Sequence, residues 1–169
     1  DRCAEVMEIV GGDIDYVVNI QGDEPFIEPA QLVELIAGFA SQAPILTLIK
    51  RIHDEETLFS INTPKVIKNA VGEALYFSRQ TIPFLRGIEK SAWLASHVFF
   101  KHIGLYAYRA DVLKKLSQLK PSPLEVAESL EQLRWLENGY VIQTIETQYE
   151  TVGIDSPADL EKIKKMGLV

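Results

Sequence analysis

At 169 residues, with 47% hydrophobic and 24% charged residues, the chain has the make-up of one globular domain, which excludes a disordered or fibrous protein. A net charge of −7 without a basic stripe argues against a nucleic-acid surface, and no apolar run is long enough to insert into a membrane. The lone Cys3 excludes an internal disulfide framework or a cysteine metal cluster and fits a reducing, cytoplasmic setting.

Arg2 to Val10 carries Ala4, Val6, Ile9 and Val10 at roughly helical spacing and stops at Gly11-Gly12, which predicts a short helix. Tyr16, Val17, Val18 and Ile20 then predict a buried strand over about 15–20. Gly22 permits a sharp turn and Pro25 forbids continuation, so Asp23 and Glu24 project past the strand's carboxyl end. In open α/β sheets that edge binds ligands, and a carboxylate there suits a divalent cation carrying phosphates; a solvated acidic turn is the plainer reading. Glu28-Pro29 opens a second helix with Leu32, Val33, Leu35, Ile36 and Phe39 as its buried stripe. Ile45 to Ile49 reads as a strand and Asp54 to Phe59 as a short helix capped by Asp54. The order α-β-α-β-α is that of a layered sheet with helical crossovers.

The middle changes character. Val66-Ile67 and Ala74 to Phe77 flank Asn69-Ala70-Val71-Gly72 as a hairpin, and 79–100 is an irregular arm suited to a subunit interface or to a plain surface loop. Val98 to Tyr108 reads as a long strand whose alternation puts His102, Gly104, Tyr106 and Tyr108 on one face. Gly104 leaves room there for a ligand, while His102 alternatively reads as a half-buried histidine with a hydrogen-bond partner. Helices follow over 110–119 and 124–138, then a strand over 141–146 and a last helix capped by Ser156 and opened by Pro157.

Four further positions could carry chemistry. Asp155 reads as a helix-capping acid or as a second metal ligand beside Asp23. Arg79 reads as a bidentate clamp for a carboxylate or as half of a surface ion pair. Glu131 and Gln132, mid-helix beside apolar neighbours, suit sugar hydroxyls or solvent. No Gly-rich phosphate loop, nucleophile elbow or zinc-ligand spacing is present.

Five stretches in order then resemble the CMP-Kdo synthetases, the 3-deoxy-manno-octulosonate cytidylyltransferases. They are Val18 to Pro25, Tyr76 to Arg79 with Ile82-Pro83, His102 to Arg109, Pro121 to Glu125 with Leu130 to Arg134, and Gly153 to Pro157 with Asp159-Leu160. The resemblance covers nearly the whole chain. It implies one domain, 1–169, of Rossmann-like nucleotide-diphospho-sugar transferase fold. That fold is a mixed, mostly parallel sheet flanked by helices, with an antiparallel dimerisation arm at about 79–100. It implies a magnesium-dependent transfer of a cytidylyl group from CTP to Kdo for lipopolysaccharide assembly, in a homodimer. Asp23 and Asp155 fall at the family's magnesium positions, and with Arg79 they take catalytic roles. Gln21, Arg79, His102, Tyr106, Glu131 and Gln132 fall where the family holds the sugar acid. The chain opens on Asp1, and the family's N-terminal strand and arginine- and lysine-containing phosphate loop are absent, so by this resemblance it is an N-terminally truncated piece. A cytidylyltransferase for another sugar acid, such as a sialic acid, and a non-catalytic binding or dimerising module remain as alternative expectations.

Overall fold

A computed structural model describes residues 2–22 and 27–150. Helix α1 (Arg2–Val10) ends at Gly11 and Gly12, whose φ of 63° and 88° turn the chain out of the helix while the Gly11 N–H still bonds the Met7 carbonyl at 3.1 Å. Strand β1 (Tyr16–Asn19) follows, then α2 (Pro29–Ala37), where the Glu28 N–H donates to Gln31 Oε1 at 3.1 Å. The stripe of α2 is narrower than its sequence implies. Leu32, Leu35 and Phe39 face the sheet, whereas Val33 and Ile36 are 67% and 52% exposed. Residues three and four apart share a helical face, and Val33 is turned about 100° from Leu32.

Strand β2 (Ile45–Arg51) leads to α3 (Glu55–Phe59), capped by Asp54, which accepts the Thr57 N–H at 2.7 Å. β3 (Lys65–Lys68) and β4 (Ala74–Ser78) form the expected hairpin. The short helix α4 (Trp93–Ser96) precedes the long strand β5 (Phe100–Arg109), which runs into α5 (Ala110–Leu116), and α6 (Pro123–Glu128), α7 (Gln132–Glu137) and β6 (Ile142–Glu146) complete the described chain.

The single helix expected over 124–138 is two. Ser129 breaks it in the left-handed region, with φ 51°. Arg79 finishes α6 from outside: its Nε donates to the Glu128 carbonyl at 2.7 Å and its Nη2 to the Ser129 carbonyl at 3.2 Å. Those are orphan carbonyls of a helix end, and a cation is favoured there. Glu131 is therefore the residue before α7 rather than a mid-helix position.

The sheet order is β4-β3-β5-β2-β6, with β1 added beside β5. It is mixed, but the expected mostly parallel pairing is not what the described ladders show. β2 and β6 pair in parallel, whereas β5 pairs antiparallel with β1, β2 and β3, and β3 with β4. The cause is β5. β1, β2, β3 and β6 share one direction, β1 and β2 being joined through α2 and β2 and β3 through α3, and the β3–β4 hairpin reverses it. β5 arrives through the arm instead and runs against them between β1 and β2. Opposite Thr47-Leu48, β5 carries Gly104 and Leu105 in excess, a bulge of two residues.

One face of the sheet packs Ile45, Ile49, Phe77, Tyr106 and Tyr108 against α1, α5 and α7; the other packs Leu46, Leu48, Ile103, Leu105 and Ala107 against α2. The arm folds back on itself rather than hanging as a loop. Trp93 and Phe99 bury against Ile52 and Leu58, and the indole N–H of Trp93 donates to the Ile88 carbonyl at 2.9 Å. Beyond one end of the ladder, Glu150 sits between Lys50 and Lys101, which face each other across β2 and β5, and offsets their repulsion.

Candidate active site

The site begins where β1 ends. Asn19 pairs with Tyr106 on β5, and the chain continues as Ile20-Gln21-Gly22 along the same edge. Gln21 lies over Gly104: a Cβ built on Gly104 would stand 3.5 Å from Gln21 Nε2. The space expected there for a ligand is thus taken by the Gln21 carboxamide, which a Cβ at Gly104 would meet at ordinary van der Waals distance. Gln21 and Gly22 line a cleft of about 550 Å³ together with Asn19, Tyr108, Glu131 and Trp135, closed on one side by α1 and α5.

Alternation along β5 survives the bulge because an insertion of two residues keeps the faces in phase. His102 and Tyr106 lie on one face with ring centroids 5.2 Å apart, and Tyr106 stacks on Tyr108 at 5.8 Å. Trp135 meets both tyrosines edge-on, at 5.2 and 5.5 Å, so this aromatic ladder backs the cleft wall. The Tyr106 hydroxyl is buried without a hydrogen bond of normal geometry, although Thr47 is close enough to moderate its ionisation. Gln132 Nε2, beside Glu131, is a second buried donor without a partner. Such groups cost stability when unsatisfied; these two adjoin cleft residues, Tyr106 through Asn19 and Trp135 and Gln132 through Glu131, without lining the cleft themselves. Burial raises the ionisation of Tyr106 and Tyr108 above the phenol range, so both stay neutral donors.

His102 is held by Thr47, a hydroxyl in the middle of the apolar run Ile45-Leu46-Thr47-Leu48-Ile49. Thr47 Oγ1 lies 3.0 Å from His102 Nε2 and donates to the Leu105 carbonyl at 2.9 Å, with the Ile103 carbonyl at 3.2 Å. A hydroxyl has one proton, and carbonyls only accept. The network therefore assigns the imidazole proton to Nε2 and leaves Nδ1 an acceptor. Burial pushes the imidazole down from 6.5 to about 3, so His102 is neutral throughout the physiological range. The unfolded chain takes up this proton near 6.5 and the folded one only near 3. The contribution of His102 to stability is thus complete above 6.5 and lost as pH falls toward 3. His102→Gln should flatten the decline of the urea midpoint between pH 6.5 and 4.5; an unchanged decline would place the acid sensitivity elsewhere.

Of the positions singled out from sequence, Gln21 and Glu131 line the cleft; Tyr106, in ring contact with His102 and with the lining Trp135, adjoins it, and His102, Gln132 and Arg79 are not among its lining residues. Arg79 sits at the α6–α7 corner, with Nη1 donating to the Ile61 carbonyl at 3.2 Å besides its two bonds to the end of α6. Those bonds account for three of the five guanidinium N–H groups. Asp23, Asp155 and the expected last helix lie outside the described residues. Among the described residues no group of three or more His, Cys, Asp or Glu could hold a metal ion. Thr47 and Trp135 were not singled out from sequence; a lone hydroxyl inside an apolar strand was the available signal for the first, and nothing marked the second as more than core.

The family profile described as cytidylyltransferase matches residues 1–163. The chain belongs to the cytidylyltransferase family. It is 58% identical over 164 residues to the 3-deoxy-manno-octulosonate cytidylyltransferase of Cytophaga hutchinsonii, covering 96% of this chain and 66% of the relative. It is 54% identical over 167 residues to that of Parabacteroides distasonis, again covering 66% of it. The chain thus spans slightly less than two thirds of the length of these relatives. A solved CMP:2-keto-3-deoxy-manno-octonic acid synthetase complexed with CTP superposes with a TM-score of 0.85 at 41% identity, over 99% of this chain and 66% of that one. A putative glucose-1-phosphate thymidylyltransferase from Bacillus anthracis, at 17% identity over 96% of this chain and 58% of that one, has a TM-score of 0.56 and shares the fold alone. The nucleotide-diphospho-sugar transferase fold and the resemblance drawn from the five motifs are both borne out.

Proposed function

We propose that the protein of which this chain is part joins CTP and Kdo to give CMP-Kdo and pyrophosphate, activating the sugar acid for lipopolysaccharide assembly. What carries the reading is the match to Kdo cytidylyltransferases along nearly the whole chain, together with a cleft whose polar groups suit a polyhydroxylated acid. The anomeric hydroxyl of the sugar attacks the α-phosphorus, the new P–O bond forms as the bond to pyrophosphate breaks, and the hydroxyl proton is released. No covalent enzyme intermediate is needed; positioning and charge neutralisation suffice.

Gln21, Glu131 and Gln132 bind sugar hydroxyls, and the Tyr106 hydroxyl donates to the bound sugar. Neutral His102 offers Nδ1 as an acceptor and so suits a hydroxyl, which leaves the carboxylate to Arg79. Asp23 and Asp155 supply hard carboxylate oxygens, a donor set that fits Mg²⁺ with water and phosphate oxygens completing its shell. When bound, the ion neutralises phosphate charge and lowers the pKa of the attacking hydroxyl. Gln21 and Gly22, which lead directly to Asp23, already line the cleft. The arm at about 79–100 joins two copies into a homodimer; Phe84, Ile88 and Val98 are exposed on it while Trp93 and Phe99 turn inward.

Pyrophosphate release from CTP in the presence of Kdo tests the reaction, and faster release with a sialic acid would transfer it to another sugar acid. In the complete enzyme, His102→Ala should raise KM for Kdo several-fold, the worth of about one lost hydrogen bond, and leave KM for CTP nearly unchanged. An equal rise for both substrates would reduce His102 to a structural residue.

A further inference from the structure

Lys65 is fully buried at the start of β3, an uncommon place for an ammonium. Its Nζ donates to three backbone carbonyls, those of Ser60, Thr63 and Arg79, each at 2.6 Å. On the other side of the same residue, the Arg79 N–H donates to Glu128 Oε2 at 2.9 Å, and the second Glu128 oxygen accepts the Ser78 hydroxyl at 2.6 Å. The backbone of Arg79 is therefore held between a buried ammonium at its carbonyl and a carboxylate at its amide. Packing alone does not call for this. Apolar side chains of similar volume often stabilise as well as buried charge, and in some proteins a buried charge sets geometry instead.

We infer that Lys65 is a positioning residue for recognition of the sugar acid: by tying the Arg79 carbonyl to the 60–63 turn it sets where the guanidinium stands. The inference rests on the proposed role of Arg79 as the carboxylate clamp. Three donors are needed for three carbonyls. The ammonium has three, whereas a neutral amine has two and turns a lone pair toward the third oxygen. The charged groups facing Lys65 are the Arg79 guanidinium and the Glu128 carboxylate, and Lys101, opposite it on β5, is engaged by Glu150. Burial, reinforced by Arg79 and opposed by Glu128, lowers the ammonium from 10.5 to about 8. The clamp is thus complete below pH 8 and one bond short above it. The unfolded chain still binds this proton up to 10.5, so the same titration raises the stability of the fold between 8 and 10.5. Loss of this proton does not itself unfold the chain.

The test is the pH profile of kcat/KM in the complete enzyme, measured separately for Kdo and for CTP. The expected result is a single-proton decline above about 8 in the Kdo profile, absent from the CTP profile. Lys65→Met should abolish that decline and raise KM for Kdo roughly tenfold at pH 7, the worth of a charged hydrogen bond, with KM for CTP near normal. A flat Kdo profile, a decline common to both substrates, or equal changes in both KM values would overturn the inference. Should Lys65→Met fail to fold, the wild-type profiles decide by the same criterion. Arg79→Lys separates the two readings: an unchanged KM for Kdo in that variant removes the clamp itself, whereas a raised KM beside a flat Kdo profile removes only the role of Lys65.

Discussion

Replacing Trp135 by alanine should destabilise the fold by about 3–5 kcal/mol, among the largest costs of a single truncation. Trp135 is 5% exposed and meets the edges of Tyr106 and Tyr108, so its loss opens a cavity between α7 and β5 that rigid strands cannot close. Trp135→Phe keeps a ring against both tyrosines and should cost much less, about 1–2 kcal/mol. Urea denaturation followed by far-ultraviolet circular dichroism measures both. A loss under about 1 kcal/mol for the alanine variant would mean that α7 packs by other contacts and that the tyrosines have a different support. Because the indole also lines the cleft, the phenylalanine variant should raise KM for Kdo while remaining folded.

Asp23→Asn in the complete enzyme should lower turnover by on the order of a hundredfold, the loss seen when one key electrostatic group is removed from a transition state. Asparagine preserves shape and one oxygen but removes the charge that makes a hard-cation ligand. The decisive condition is saturating magnesium. A merely weakened site recovers as the ion is raised, a lost catalytic role does not, and near-normal turnover at every magnesium concentration would refute the assignment. The two exchanges probe different things: Trp135→Ala acts on the scaffold and shows in denaturation, whereas Asp23→Asn should leave the urea midpoint close to that of the parent.

Much of this was legible in the residues because local physics agreed with the fold. Asp54 before an acidic turn caps α3, Gly11-Gly12 stops α1, and Asn69 to Gly72 turns the β3–β4 hairpin. The alternation of His102, Tyr106 and Tyr108 held because both faces of β5 are buried. What was not legible depends on distant partners. Where β5 enters the sheet is decided by the route of the arm, which no short window encodes. The break at Ser129 is made by Arg79, fifty residues earlier in the chain. For the same reason Lys65 reads as an ordinary charged residue at a strand end until three carbonyls are seen around it. Thr47 is the intermediate case, since a solitary hydroxyl among Ile45, Leu46, Leu48 and Ile49 calls for an acceptor but cannot say that a histidine shares it.

The excess of two residues on β5 opposite Thr47-Leu48 also constrains how this strand can change in descent. Deleting Gly104 and Leu105 together would shorten the strand yet leave the imidazole and the phenols on their own side. Deleting either one alone would swap sides for everything upstream, sending Ile103 toward the aromatic ladder and His102 toward α2. Length variation at this point is therefore tolerable in even steps and ruinous in odd ones, which makes parity, rather than residue identity, the property to compare among relatives.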